Sequence, residues 1–133
     1  YKNNILEILN VCEENGVSGL IATNTTISSK TLQKPTSFEG GLSGKPLFKP
    51  SNNILRLLAK KKNASTALIG VGGIFSATDI YEKIKMGASA VQIYTSFVYN
   101  GPRHVKKMEV ELKKLLLNDG YSTIDSAVGA LSR

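Results

Sequence analysis

Three short apolar runs, each bordered by stretches of helical periodicity, constrain the fold of this chain more than any other feature. They are Leu20-Ile21-Ala22, the run at 67–71 that contains Leu68-Ile69-Gly70-Val71, and Ala90-Val91-Gln92-Ile93-Tyr94. Strands that alternate with helices pair in parallel and are covered on both faces, which agrees with their continuous rather than alternating apolar character. The periodic stretches spell the helices: residues 3–15, ended by Asn15-Gly16; a segment marked by Ile54, Leu55, Leu57 and Leu58; and residues 77–86, ended by Gly87. A last long helix takes Pro102 as its first residue and Val105, Met108, Leu112 and Leu115 as its apolar stripe. Two architectures satisfy this order, an open doubly wound sheet or part of an eight-stranded α/β barrel. Both gather ligands at the carboxyl ends of the strands.

Here those ends are Thr23-Asn24-Thr25-Thr26, Gly72-Gly73 and Tyr94-Thr95. The run Leu68 to Ile74 breaks into paired glycines just before a helix opened by Ser76, with Asp79 three residues on as in a capping box. Backbone N–H groups with no side chain in front of them admit a phosphate. If the second and third runs are the last two strands of a barrel, Gly72-Gly73 and Thr95-Ser96 would flank that phosphate. Ser96-Phe97-Val98-Tyr99-Asn100 has the length of the short extra helix such sites use. The same glycines would equally serve close packing of helices on strands. Asn24 and Thr25 would equally serve as turn and capping residues. Between the first and second runs lies a polar connection, roughly 27–50, carrying Gly40-Gly41-Leu42-Ser43-Gly44-Lys45-Pro46-Leu47.

Composition narrows the class. With 133 residues, 41% hydrophobic and 20% charged, the chain suits one globular unit. No apolar run approaches the roughly 18 residues of a membrane span, and no signal-peptide pattern is present. The chain opens at Tyr1, almost inside an apolar-periodic segment, as a piece of something longer would. Its net charge of +7 comes from lysines scattered over helices, such as Lys60-Lys61-Lys62 at one helix end. Aromatic residues do not interleave with them, so a nucleic-acid partner is not expected. The lone Cys12 excludes a disulfide framework and reads as a small buried hydrophobe on a helix. The lone His104, between Arg103 and Lys106, reads as a surface residue, and no metal site is expected.

Four motifs in order carry a family resemblance: Ala22-Thr23-Asn24-Thr25-Thr26, Gly40 to Leu47, Gly70-Val71-Gly72-Gly73-Ile74, and Gln92-Ile93-Tyr94-Thr95. With the continuation Val98-Tyr99-Asn100-Gly101-Pro102, they resemble the C-terminal part of dihydroorotate dehydrogenase, specifically the quinone-linked, membrane-associated class 2. The resemblance covers essentially the whole chain. It implies that residues 1–133 are a C-terminal portion, about three strands, of a TIM (β/α)8 barrel that binds FMN. That enzyme oxidises dihydroorotate to orotate in pyrimidine synthesis, with quinone as acceptor. By motif, Thr23, Gly44 and Gly73 would approach FMN, and Tyr94 and Thr95 would make its phosphate-side contacts. Asn24 and Thr25 would hydrogen-bond the pyrimidine.

The resemblance also implies what lies elsewhere. The family's serine base, a lysine and further asparagines come from earlier barrel loops, so no catalytic residue is expected in this chain. Ser43 matches the glycine-rich motif rather than the base loop. The membrane-docking segment that forms the quinone tunnel is likewise upstream, on the mitochondrial inner membrane in a eukaryote or the cytoplasmic membrane in a bacterium. The chain alone is therefore expected neither to hold FMN tightly nor to turn over dihydroorotate. Rival readings are another FMN barrel, such as a dihydropyrimidine dehydrogenase domain or a dihydrouridine synthase, and a basic, non-enzymatic binding module.

Overall fold

The computed structural model describes residues 2–27 and 40–132; part of the expected polar connection, at 28–39, lies outside the described residues. The elements are α1 (Lys2–Glu14), β1 (Gly19–Ala22), α2 (Phe48–Ala59), β2 (Ala67–Val71), α3 (Ala77–Lys85), β3 (Ala90–Gln92), α4 (Thr95–Asn100), α5 (Pro102–Asn118) and α6 (Ile124–Ala127), with a 3-10 turn at Lys45–Leu47 before α2. The strands form one parallel sheet in the order β1-β2-β3. In register, Ile21 lies beside Ile69 and Ile69 beside Ala90, while Ala22 lies beside Gly70 and Gly70 beside Val91.

Alternation along the strands sorts these residues onto two faces. One face is covered by helices. Leu9, Leu55, Leu58, Met86 and Ala88 bury Leu68 and Ala22, with Leu20 packed against them. A second core joins Ile80, Tyr81 and Ile84 of α3 to Met108, Leu112 and Leu116 of α5, with Val91 against it. Among the described residues no helix lies over the other face, and Ile21 there is 59% exposed. The expectation of strands covered on both faces is therefore corrected: the described helices cover one face only. A barrel gives the reason, because its second face is closed by strands from around the ring.

Smaller expectations shift for local reasons. β3 stops at Gln92, because Tyr94 adopts φ −133°, ψ −67° as the cap of α4. The buried stripe of α5 runs Met108, Leu112, Leu116, while Val105 is 40% exposed and Leu115 only packs against the core edge. Cys12 is half-buried rather than enclosed. The Ser76 hydroxyl accepts from the Asp79 N–H, as a capping residue should, but the Asp79 carboxylate takes the Phe75 N–H at 2.8 Å. α6 and the tail after it were not anticipated. Gly129 and Leu131 donate backbone N–H groups to Ile84 and Lys85, and the Ser132 hydroxyl donates to the Met86 carbonyl. They satisfy carbonyls at the end of α3 that the helix itself leaves open. Among the described residues no helix is long and apolar enough to cross a membrane.

Candidate functional site

The carboxyl ends of all three strands open onto one cavity of about 270 Å³. Each of the residues singled out from the sequence lines it: Thr23, Asn24 and Thr25 after β1, Gly44 before the 3-10 turn, Gly73 after β2, and Tyr94 and Thr95 after β3. Parallel strands in near register bring these ends to one edge, so motifs far apart in sequence share a wall.

The first wall folds back on the glycine-rich run. Thr26 and Leu42 exchange backbone hydrogen bonds of 3.2 and 2.7 Å. A side chain at Gly41 would collide with the Thr25 hydroxyl. The Asn24 side-chain oxygen accepts from the Thr25 N–H at 2.7 Å, so Asn24 does perform the turn work its residue type suggested. Both Asn24 and Thr25 are exposed, whereas Thr23 is half-buried. The Ala22–Thr23 peptide is cis.

The second wall is the glycine pair. Gly73 has φ +74°, and a Cβ there would sit 2.5 Å from Phe48 Cα. Gly72 has φ +105°, and its Cβ would lie 3.1 Å from the Ser51 hydroxyl oxygen. Both glycines therefore let the start of α2 pack directly on the loop, as the packing reading required. Phe75, just beyond them, is held at both ends of its backbone. Asp79 takes its N–H, and the His104 Nε2–H donates to its carbonyl at 3.0 Å. His104 is thus half-buried and tied to the rim of the cavity, which corrects its reading as a plain surface residue.

The third wall starts α4. The Thr95 hydroxyl donates to Ser43 at 3.2 Å, and Thr95 Cγ2 lies 3.0 Å from where a Gly44 Cβ would be. The glycine at 44 is what allows the 40–47 run to dock on β3's end. Tyr94, 79% exposed, stands at the rim. Ser96 is 1% exposed, and its hydroxyl is the buried side-chain polar atom with no hydrogen-bond partner among the described residues. A buried hydroxyl is normally paired, so this one keeps an unused hydrogen-bonding capacity beside the cavity. Ser96 belongs to the Thr95-Ser96 pair expected opposite the glycines and is not among the residues assigned by motif. Phe75 and Gln92, also on the wall, carried no sequence signal of their own.

The chemistry available is binding chemistry. Hydroxyls, amides and backbone groups surround an apolar floor of Leu47, Val71 and Ile93. No Asp, Glu, His, Lys or Cys lines the cavity, and no group of metal-ligating side chains occurs among the described residues.

A family model described as dihydroorotate dehydrogenase matches residues 2–116. The dihydroorotate dehydrogenase (quinone) of Helicobacter acinonychis is 46% identical over 126 residues, covering 95% of this chain and 36% of that protein. That of Myxococcus xanthus is 41% identical over 128 residues, covering 96% and 35%. Among solved structures, the ligand-free DHODH of Eimeria tenella superposes on the whole chain with a TM-score of 0.92 at 36% identity, over 38% of its own length. The chain thus spans little more than a third of the relatives it matches.

Proposed function

The chain belongs to the dihydroorotate dehydrogenase family, a family of (β/α)8 barrels, and on that premise we propose that the full-length protein is the quinone-linked enzyme, oxidising dihydroorotate to orotate with FMN in pyrimidine synthesis. The observation that carries the reading is the convergence of Thr23, Asn24, Thr25, Gly44, Gly73, Tyr94 and Thr95 on one cavity at the strand ends. Residues 1–133 are then the C-terminal part of the FMN-binding barrel. Membrane association belongs to a segment outside them, at the mitochondrial inner membrane or the bacterial cytoplasmic membrane.

The residues present fit a flavin phosphate. The open Ser96 hydroxyl, the side-chain-free Gly72-Gly73 loop and the start of α4 supply neutral donors, which is how helix starts and glycine loops take phosphates. When bound, FMN supplies the two-electron acceptor for the substrate. This chain's residues bind and orient: Gly73, Tyr94 and Thr95 at the phosphate side, Thr23 and Gly44 nearer the ring. Asn24 and Thr25 face the pyrimidine, whose carbonyl, N–H and carboxylate groups suit amides and hydroxyls. A poorly matched ligand would leave those polar groups unpaired, and such mismatches are strongly rejected. We assign the base to the part of the protein outside residues 1–133, as the family resemblance implies. The test is purification of the full-length protein. It should carry about one FMN per chain and reduce a quinone analogue only with dihydroorotate present. A flavin-free protein, or one indifferent to dihydroorotate, would overturn the reading.

A further inference from the structure

Behind the glycine loop lies a buried charge that the proposed reaction does not use. Lys83 of α3 is 0% exposed. Its Nζ donates to Ser51 Oγ at 2.7 Å and to Asn52 Oδ1 at 2.6 Å, both on α2, and lies 5.3 Å from the centre of the Phe48 ring. Its stem crosses Gly70, where a Cβ would come within 3.0 Å of Lys83 Cδ. Among the described residues its hydrogen-bond and ring partners, Ser51, Asn52 and Phe48, are neutral. Glu82 reaches it only through Asn52, whose Nδ2 donates to Glu82 Oε1 at 3.1 Å, and the Asp79 carboxylate is engaged by Phe75.

Burying an ammonium without a paired carboxylate costs several kcal/mol, and an apolar side chain of like length would fill the space without that cost. Stability alone does not account for lysine at this position. Its connection to the cavity does. Ser51 accepts from Lys83 and so turns its single proton to backbone carbonyls, those of Gly72 at 3.2 Å and Phe48 at 3.1 Å. The ammonium thus stands two hydrogen bonds from the carbonyl of Gly72, a residue that lines the cavity.

We propose that Lys83 is a positioning residue for the flavin phosphate: through Ser51 it fixes the Gly72-Gly73 backbone, and its charge finds its counter-charge in the phosphate across that loop. The proposal rests on the flavin reading above. Burial lowers the Lys83 pKa to about 8, partly opposed by Glu82 and Asp79, so the group is held charged at neutral pH with little in reserve. An anion across the loop favours that charged form.

The experiment compares FMN with riboflavin, which lacks the phosphate, by fluorescence titration of the flavin-stripped full-length protein. The unaltered protein should prefer FMN. Lys83→Met should weaken FMN binding by about tenfold and leave riboflavin binding unchanged, the size expected for loss of a hydrogen-bonded charge. Ser51→Ala should narrow the preference in the same direction with the charge still in place, and it decides the matter should Lys83→Met fail to fold. An unchanged FMN-to-riboflavin ratio, or parallel loss of both ligands, would overturn the proposal and leave Lys83 a packing residue. An unaltered protein that binds neither flavin would instead overturn the flavin reading itself.

Discussion

Gly73 shows how one residue can be demanded twice. Its φ of +74° lies in the left-handed region, which an L side chain enters at a cost of about 1–2 kcal/mol. Its missing Cβ is also where the Phe48 backbone sits. Gly120, at φ +82°, has nothing within 4 Å of the corresponding position. Gly120→Ala in the full-length protein should therefore cost about 1 kcal/mol in denaturant unfolding, the conformational term alone. Gly73→Ala should cost clearly more and also lower the bound flavin per chain, because relief of the clash must move either α2 or the loop. Equal costs at the two sites would mean the Phe48 contact is easily relaxed. The glycine pair was legible in the sequence, since apolar residues break into it directly before a helix start. What it faces was not. The atoms that exclude a side chain belong to Phe48, brought there by the turn at Lys45–Leu47, and no local pattern records that contact.

At the scale of elements, α2 and α3 meet through a polar seam. Lys83 links to Ser51 and Asn52, and Asn52 in turn links to Glu82. The seam has a consequence for stability against pH. The Lys83 ammonium ordinarily titrates near 10.5, as it should in the unfolded chain, and at about 8 when folded. Between those values the folded state holds fewer protons, so folding stability rises with pH across the window and has no such contribution below it. The full rise is on the order of 3 kcal/mol. Urea unfolding of the flavin-stripped full-length protein at a series of pH values from 7 to about 10.5, set against Lys83→Met, should show the unaltered protein gaining stability relative to the variant. Parallel curves would refute it. The helices themselves were readable because each carries an apolar stripe, and β2 because its run is long and bounded. α6 was not, because Ile124–Ala127 is too short for a period, and the tail after it docks on the end of α3 through backbone N–H groups of Gly129 and Leu131 that leave no side-chain pattern. Lys83 was hidden for a related reason: a lysine near a helix C-terminus ordinarily faces solvent and the helix dipole.

For the molecule as a whole, the informative surface is the sheet face that no helix among the described residues covers. Parallel sheets are buried on both sides, and a three-stranded one with Ile21 59% exposed departs from that rule. Superposition over 38% of a solved relative's length accounts for the departure, since the rest of a barrel would close over this face. It also explains why the site was only half legible. The cavity wall lies in the motifs at the strand ends, whereas on the proposed function the base approaches from loops elsewhere on the ring. Ile21 separates the barrel from a free-standing domain. An isoleucine as exposed as this one should change stability by no more than about 0.5 kcal/mol when truncated. One facing a barrel interior should cost about 2–5 kcal/mol. Ile21→Ala in the full-length protein is therefore expected to behave as a core substitution by denaturant unfolding, although Ile21 is largely exposed in this chain. A cost within experimental error of zero would mean that the uncovered face remains uncovered.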